Sequence, residues 1–338
     1  MSFRSAIALL LANILPVHIS YAQQAPCPPV STAQIVSDVV VSGASLNDGY
    51  GGWTTCGVDG QVYRHTSGRL TSIQRVSPDG STLVFSLPGD AWPKAIAPTG
   101  TGLNILAGNI SQTEGRFYEM YHFDSHAGLL TRRRVHMTFS PEEMAVTSSG
   151  KTIVVGHHPD DFAQRDDWKY GGAVLDADDQ VTTSFDLPLP PDGGGWTFSG
   201  RQMEAEDGVA YVVLHSATTP TGLKTAIATI TETGRLDVKV IPVPPDSDQR
   251  HHNEWLFGPG VAVEVYHYVG EKPHVTMRFD EYNLASGEKV ATKSAPPTGF
   301  QSGCYLGNEF SMLAHSAHID PARHLSPDTL RLVTSNLK

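Results

Sequence analysis

Only three of the 338 residues are cysteines, only 17% are charged, and past the first two dozen positions no apolar run could span a bilayer. Cys27, Cys56 and Cys304 cannot all pair within one chain, and their spacings are too wide for a metal–thiolate cluster. Which two would form a disulfide stays open at this level. Basic residues are scarce, with 24 Lys and Arg against 35 Asp and Glu and a formal net charge of -11. With no basic stripe to neutralise phosphates, nucleic acid and anionic membranes are not expected as partners. The one dense basic run, Arg132, Arg133 and Arg134, would alternate between the faces of a strand, which suits a solvated outer strand better than an anion site. Catalytic signatures are missing too: there is no Gly-x-Ser-x-Gly elbow, no His-Glu-x-x-His pair and no haem c attachment sequence. The glycine runs at 51–52 and 193–195 precede Trp53 and Trp196 rather than a helix, so no nucleotide cofactor is expected.

What is present begins with a leader. Arg4 supplies a short basic start, 6–17 is almost wholly apolar, and Ser20 and Ala22 are the small residues a signal peptidase reads. Residues 1–22 are therefore expected to be a secretory signal, with a retained anchor as the alternative. The mature chain would be secreted or periplasmic, without stable membrane insertion, and 23–338 would form one domain.

Gly 32 and Pro 23 punctuate short Val, Ile, Thr and Tyr runs, which predicts many strands and turns rather than long helices. The runs recur as a four-strand cycle. Its clearest copy is 196–199, 209–215, 224–230 and 235–241, with a turn at 232–234. Similar units fall at about 49–88, 89–140, 141–190, 191–245, 250–298 and 300–336. The last unit has three strands, and a good strand at 34–42 is available to complete it, which would close a ring and leave no open sheet edge. Over 33–336 this pattern resembles β-propellers in general: an all-β, six-bladed β-propeller of four-stranded antiparallel blades, the last blade closed by the N-terminal strand. Neither the WD signature nor the usual kelch arrangement is present.

Aligning the units places His65, Asn109, His157, His215, His267 and His315 at the end of the second strand. Two readings follow. Each side chain could bracket its own loop, satisfying nearby backbone groups. Alternatively a subset of His65, His157, His215, His267 and His315 could bind a divalent metal, zinc or another transition metal, at one mouth of the channel. Glu143 and Glu254, just at the inner strands, are the candidate catalytic carboxylates. Trp53, Trp196 and Trp255, with Asn109 and Asn253, are candidate ligand contacts, although packing between blades also explains the tryptophans.

The function expected from this pattern is an exported enzyme using metal-assisted hydrolysis or lyase chemistry on a polar small molecule or saccharide. The competing expectation is a non-catalytic module that binds a glycan or a protein at the same face. This inference rests on analogy at the level of the fold.

Overall fold

The computed structural model describes residues 35–45, 54–57, 60–66, 72–113, 115–158, 169–188, 196–216, 225–241, 254–269, 276–295, 300–315 and 329–337. They form 24 strands in six four-stranded sheets. None of the described residues is in an α-helix, and no helix is long and apolar enough to cross a membrane.

The chain opens with β1 (Ile35–Ser45) and then lays down one blade after another, each from the inside outwards. Blade one is β2 (Thr54–Cys56), β3 (Val62–Thr66), β4 (Ser72–Val76) and β5 (Thr82–Ser86). Blade two is β6 (Trp92–Thr99), β7 (Gly102–Ser111), β8 (Gly115–Asp124) and β9 (Leu129–Val135). Blade three is β10 (Ser140–Val146), β11 (Thr152–His158), β12 (Lys169–Leu175) and β13 (Val181–Asp186). Blade four is β14 (Trp196–Glu206), β15 (Val209–Ser216), β16 (Thr225–Thr231) and β17 (Leu236–Ile241). Blade five is β18 (Glu254–Gly258), β19 (Val261–Val269), β20 (Thr276–Asn283) and β21 (Lys289–Ala295). Blade six is β22 (Phe300–Tyr305), β23 (Glu309–His315) and β24 (Thr329–Asn336), with β1 as its outer strand. The closure expected from the incomplete last repeat is thus the observed one, with Asp38 opposite Val333 and Val40 opposite Arg331.

The sequence sorts itself by depth in the blade. Middle strands such as β11 and β16 are buried along nearly their whole length, because both faces meet a neighbouring blade. Outer strands such as β9 and β13 are mostly exposed and polar. Six apolar clusters result. Those joining blades one–two, two–three, three–four, four–five, five–six and six–one form a ring of interfaces rather than one central core.

One turn recurs between strands. In 77–81, 124–128, 147–151, 176–180 and 231–235 the first residue's N–H donates to the fifth residue's carbonyl, and the fourth residue's N–H returns to the first carbonyl. The fourth position has positive φ, filled by Gly80, Ala127, Gly150, Asp179 and Gly234. Gly80 meets a second demand: a Cβ there would lie 2.5 Å from the Val40 carbonyl oxygen of β1. Beside it, Ser42 N–H donates to the Gly80 carbonyl at 3.0 Å, tying the closing strand to blade one.

Two further links fasten blade six. Asp38 on β1 forms an ion pair with Arg331 of β24, whose guanidinium is 1% exposed. Cys56 on β2 and Cys304 on β22 form a disulfide joining the inner strands of the first and last blades across 248 residues. Cys27 lies outside the described residues. The arginine run falls on β9, the outer strand expected, but its side chains are engaged as well as solvated. Arg132 donates to Glu119, Arg133 reaches Ala177 O and the Asp178 and Asp179 carboxylates of blade three, and Arg134 lies over Phe117.

Candidate functional site

Inner strands line the axis, and several carry a bulge near their first residue. In β6 the register steps from Pro93 to Ala95 against consecutive partners, which leaves Lys94 extra; in β10 it steps from Pro141 to Glu143 and leaves Glu142 extra. β22 does the same at Gln301. Such an extra residue turns a strand locally and re-aims a side chain, and bulges are enriched beside active sites. Opposite the β10 bulge, Gly156 allows close approach: a Cβ there would sit 1.9 Å from the Ser140 carbonyl oxygen.

The bulges of blades two and three bring together a polar group. Lys94 Nζ lies 3.4 Å from Ser140 Oγ, and Ser140 is the register partner of His157. His157 Nδ1 is bonded to Glu142 Oε1. The imidazole is buried, at 3% side-chain exposure, whereas the Glu142 side chain is 31% exposed. The carboxylate therefore faces solvent and the imidazole backs it. Glu143, the neighbour anticipated as catalytic, is buried at 6% exposure.

The recurring second-strand positions do lie near the starts of inner strands, where His157 pairs with Ser140 and His215 with Thr197. Their side chains, however, follow the geometry of a strand and point out of the sheet. His215 Nδ1 contacts Thr225 Oγ1 at 2.9 Å, and its ring lies edge-on to Trp255 of blade five. Asn109 Nδ2 donates to Glu119 Oε2 at 2.9 Å, sharing that oxygen with Tyr121 OH and Arg132. His65 is half-buried on β3. Among the described residues no group of three His, Cys, Asp or Glu is placed to hold a metal ion.

Trp255 is 1% exposed and belongs to the apolar cluster between blades four and five. Trp196, Glu254, His267 and His315 are on β14, β18, β19 and β23, with side chains outside the described part of the structure. Trp53 and Asn253 lie outside the described residues altogether.

At the other end of the inner strands is a cavity of about 460 Å³ to which all six blades contribute. Its charged lining comes from Glu204 and Glu206 of β14. Neither was singled out from sequence. The available signal was a carboxylate pair at alternating positions closing an inner strand longer than its counterparts. Glu204 opens into the cavity but is walled by protein, and this poor hydration, with the Glu206 charge nearby, pushes its carboxyl up to about 7.

Burial drives His215 the other way, down to about 4. The unfolded chain then binds this proton more readily than the folded one. His215 thus stabilises the fold above pH about 6.5, and that contribution is lost as pH falls through about 4, up to about 3 kcal/mol before allowance for its partial solvent contact. Glu204 has the opposite sign, favouring the fold below its unfolded value and losing that contribution as pH rises through about 7. Denaturant titrations of wild type and His215→Gln between pH 4 and 7.5 should therefore differ in slope, the variant losing less stability on acidification. Parallel profiles would show that the His215 ring carries no linked proton.

No family model and no curated protein matches this chain. Solved structures do match. A protein of unknown function from Dyadobacter fermentans DSM 18053 superposes over 91% of this chain and 100% of its own, with a TM-score of 0.51 and 12% identity. Streptogramin B lyase matches over 89% of this chain and 97% of its own, with a TM-score of 0.46 and 12% identity. A putative gluconolactonase matches over 92% and 94%, with a TM-score of 0.44 and 12% identity. At such identities the likeness shows the fold alone.

Proposed function

We propose that the protein is an exported propeller enzyme that acts on a polar small molecule or saccharide at the mouth where the inner strands begin, by hydrolysis or lyase chemistry. The observation that supports this most is the pairing of solvent-reaching Glu142 with buried His157, beside Lys94 from the adjacent blade. In this reading Glu142 exchanges a proton with the substrate, His157 positions the carboxylate, and Lys94 attracts the negative charge that develops on a carbonyl or leaving group. The export part rests on residues 1–22, and the Cys56–Cys304 bond is of a kind that persists in oxidising compartments. A divalent metal at this mouth belongs to the proposal as a further component.

A screen of sugars, sugar lactones, uronides and cyclic esters, followed by NMR for turnover, tests the proposal. Glu142→Gln is expected to lower kcat by roughly 10²–10⁴-fold while leaving the melting temperature close to wild type. Metal analysis before and after chelation, with and without restored turnover, tests the metal component. The competing module, which binds a glycan or protein without reaction, is favoured by one observation: His215 and Asn109 are already used in bonds within their blades. Saturable binding without turnover, unchanged in Glu142→Gln, would establish that module in place of the enzyme.

A further inference from the structure

The cavity at the far end of the inner strands has a chemistry of its own. At about 460 Å³ it is within the usual size of small-molecule sites, roughly 300–1,000 Å³. Val146, Met203, Phe257 and Leu306 give it apolar walls, while Glu204 and Glu206 project from one side. Two residues apart on one strand, these carboxylates share a face. No cation among the described residues pairs with either of them. The protein packed around Glu204 holds its proton to near neutral pH, and the neighbouring Glu206 charge adds to that by repulsion. A cation lying between them would remove that repulsion.

The walls decide which cation. A calcium ion takes six to eight oxygen ligands, about 2.3–2.6 Å away, and magnesium needs near-octahedral oxygen geometry. Among the described residues no third Asp, Glu, His or Cys joins these two carboxylates to build such a set. An organic ammonium needs only a few acceptors for its N–H groups, and its hydrocarbon portion gains from leaving water for apolar walls.

We propose that this axial cavity binds a small organic amine, its ammonium group held by Glu204 and Glu206 and its apolar body seated against Val146, Met203, Phe257 and Leu306. Binding would draw Glu204 into its ionised form, so complex formation near pH 7 would release a proton to the buffer. The site is separate from the Glu142 mouth and does not depend on the reaction proposed there.

Isothermal titration calorimetry of the full chain tests this with benzylamine, phenethylamine and tryptamine, each set against a neutral counterpart such as benzyl alcohol. At least one amine should bind saturably, at least ten-fold more tightly than its alcohol, with a heat at pH 7 that varies with the ionisation enthalpy of the buffer. A double variant, Glu204→Gln with Glu206→Gln, should lose at least ten-fold in amine affinity while melting cooperatively. Glu142→Gln should bind the amine like wild type, which separates this site from the mouth. Amine and alcohol binding equally, no member of the series binding, or undiminished affinity in a folded double variant would each overturn the proposal.

Discussion

A chain that starts after residue 45, and so lacks β1, is expected not to hold a closed ring. β1 supplies the outer strand of blade six, and Val41 is buried in the cluster between blades six and one. It also carries the partner of Arg331. Removing Asp38 strands a guanidinium that is 1% exposed, and breaking such a buried pair from one side costs about 3–5 kcal/mol. The deletion further exposes the hydrogen-bonding edge of β24 and removes the Ser42–Gly80 link to blade one. Total stabilities are typically about 5–15 kcal/mol, so these losses together are enough to abolish the native state. Circular dichroism melting and gel filtration of the truncated chain should show no cooperative transition and a tendency to associate. The single change Asp38→Ala should retain the fold but lose about 3–5 kcal/mol in denaturant titration. A truncated chain that stays monomeric and melts near the wild-type temperature would show that the three remaining strands of blade six suffice.

Breaking the Cys56–Cys304 bond should have the next largest effect. The bond encloses a segment of 248 residues, and loops of that size lie at the upper end of the chain-entropy stabilisation, where native disulfides contribute roughly 2–5 kcal/mol. Cys56 lines the axial cavity while Cys304 is wholly buried, so a reductant would meet Cys56 first. Scanning calorimetry of oxidised protein, reduced protein and a Cys56→Ser, Cys304→Ser double variant should give a melting temperature lower by on the order of 5–10 °C in the last two. Equal melting in all three would mean that β1 pairing alone sets the closure.

These two fastenings differ in how far they could be foreseen. The β1–β24 pairing was legible because a repeat missing one strand leaves a sheet edge, and 34–42 was the unassigned strand left to fill it. The disulfide was not, since pairing three cysteines requires knowing that β2 and β22 become neighbours at the axis. The turns at 77–81 and 231–235 were legible from Gly80 and Gly234.

The histidine recurrence marked a level within each blade but could not give a direction. A second-strand side chain faces the neighbouring blade, as His215 faces Trp255, and at this mouth a local backbone irregularity re-aims the inner-strand side chains. That irregularity at Lys94 and Glu142 is a one-residue insertion in a strand, which shifts facing without altering composition or period. For the same reason Glu142 and Glu143 could not be distinguished before the register of β10 was known.

The six apolar clusters have a consequence for how this protein would come apart. A linear array of repeats begins to unravel from its terminal units, each of which has a bare flank. Here every blade is flanked on both sides, so no unit has a bare flank while the ring is closed. Rupture at the seam between blades six and one converts the circle into an array with two frayed tips, and the rest can peel away from either. The strength of that one seam, more than the average quality of packing, would then govern how long the native wheel survives.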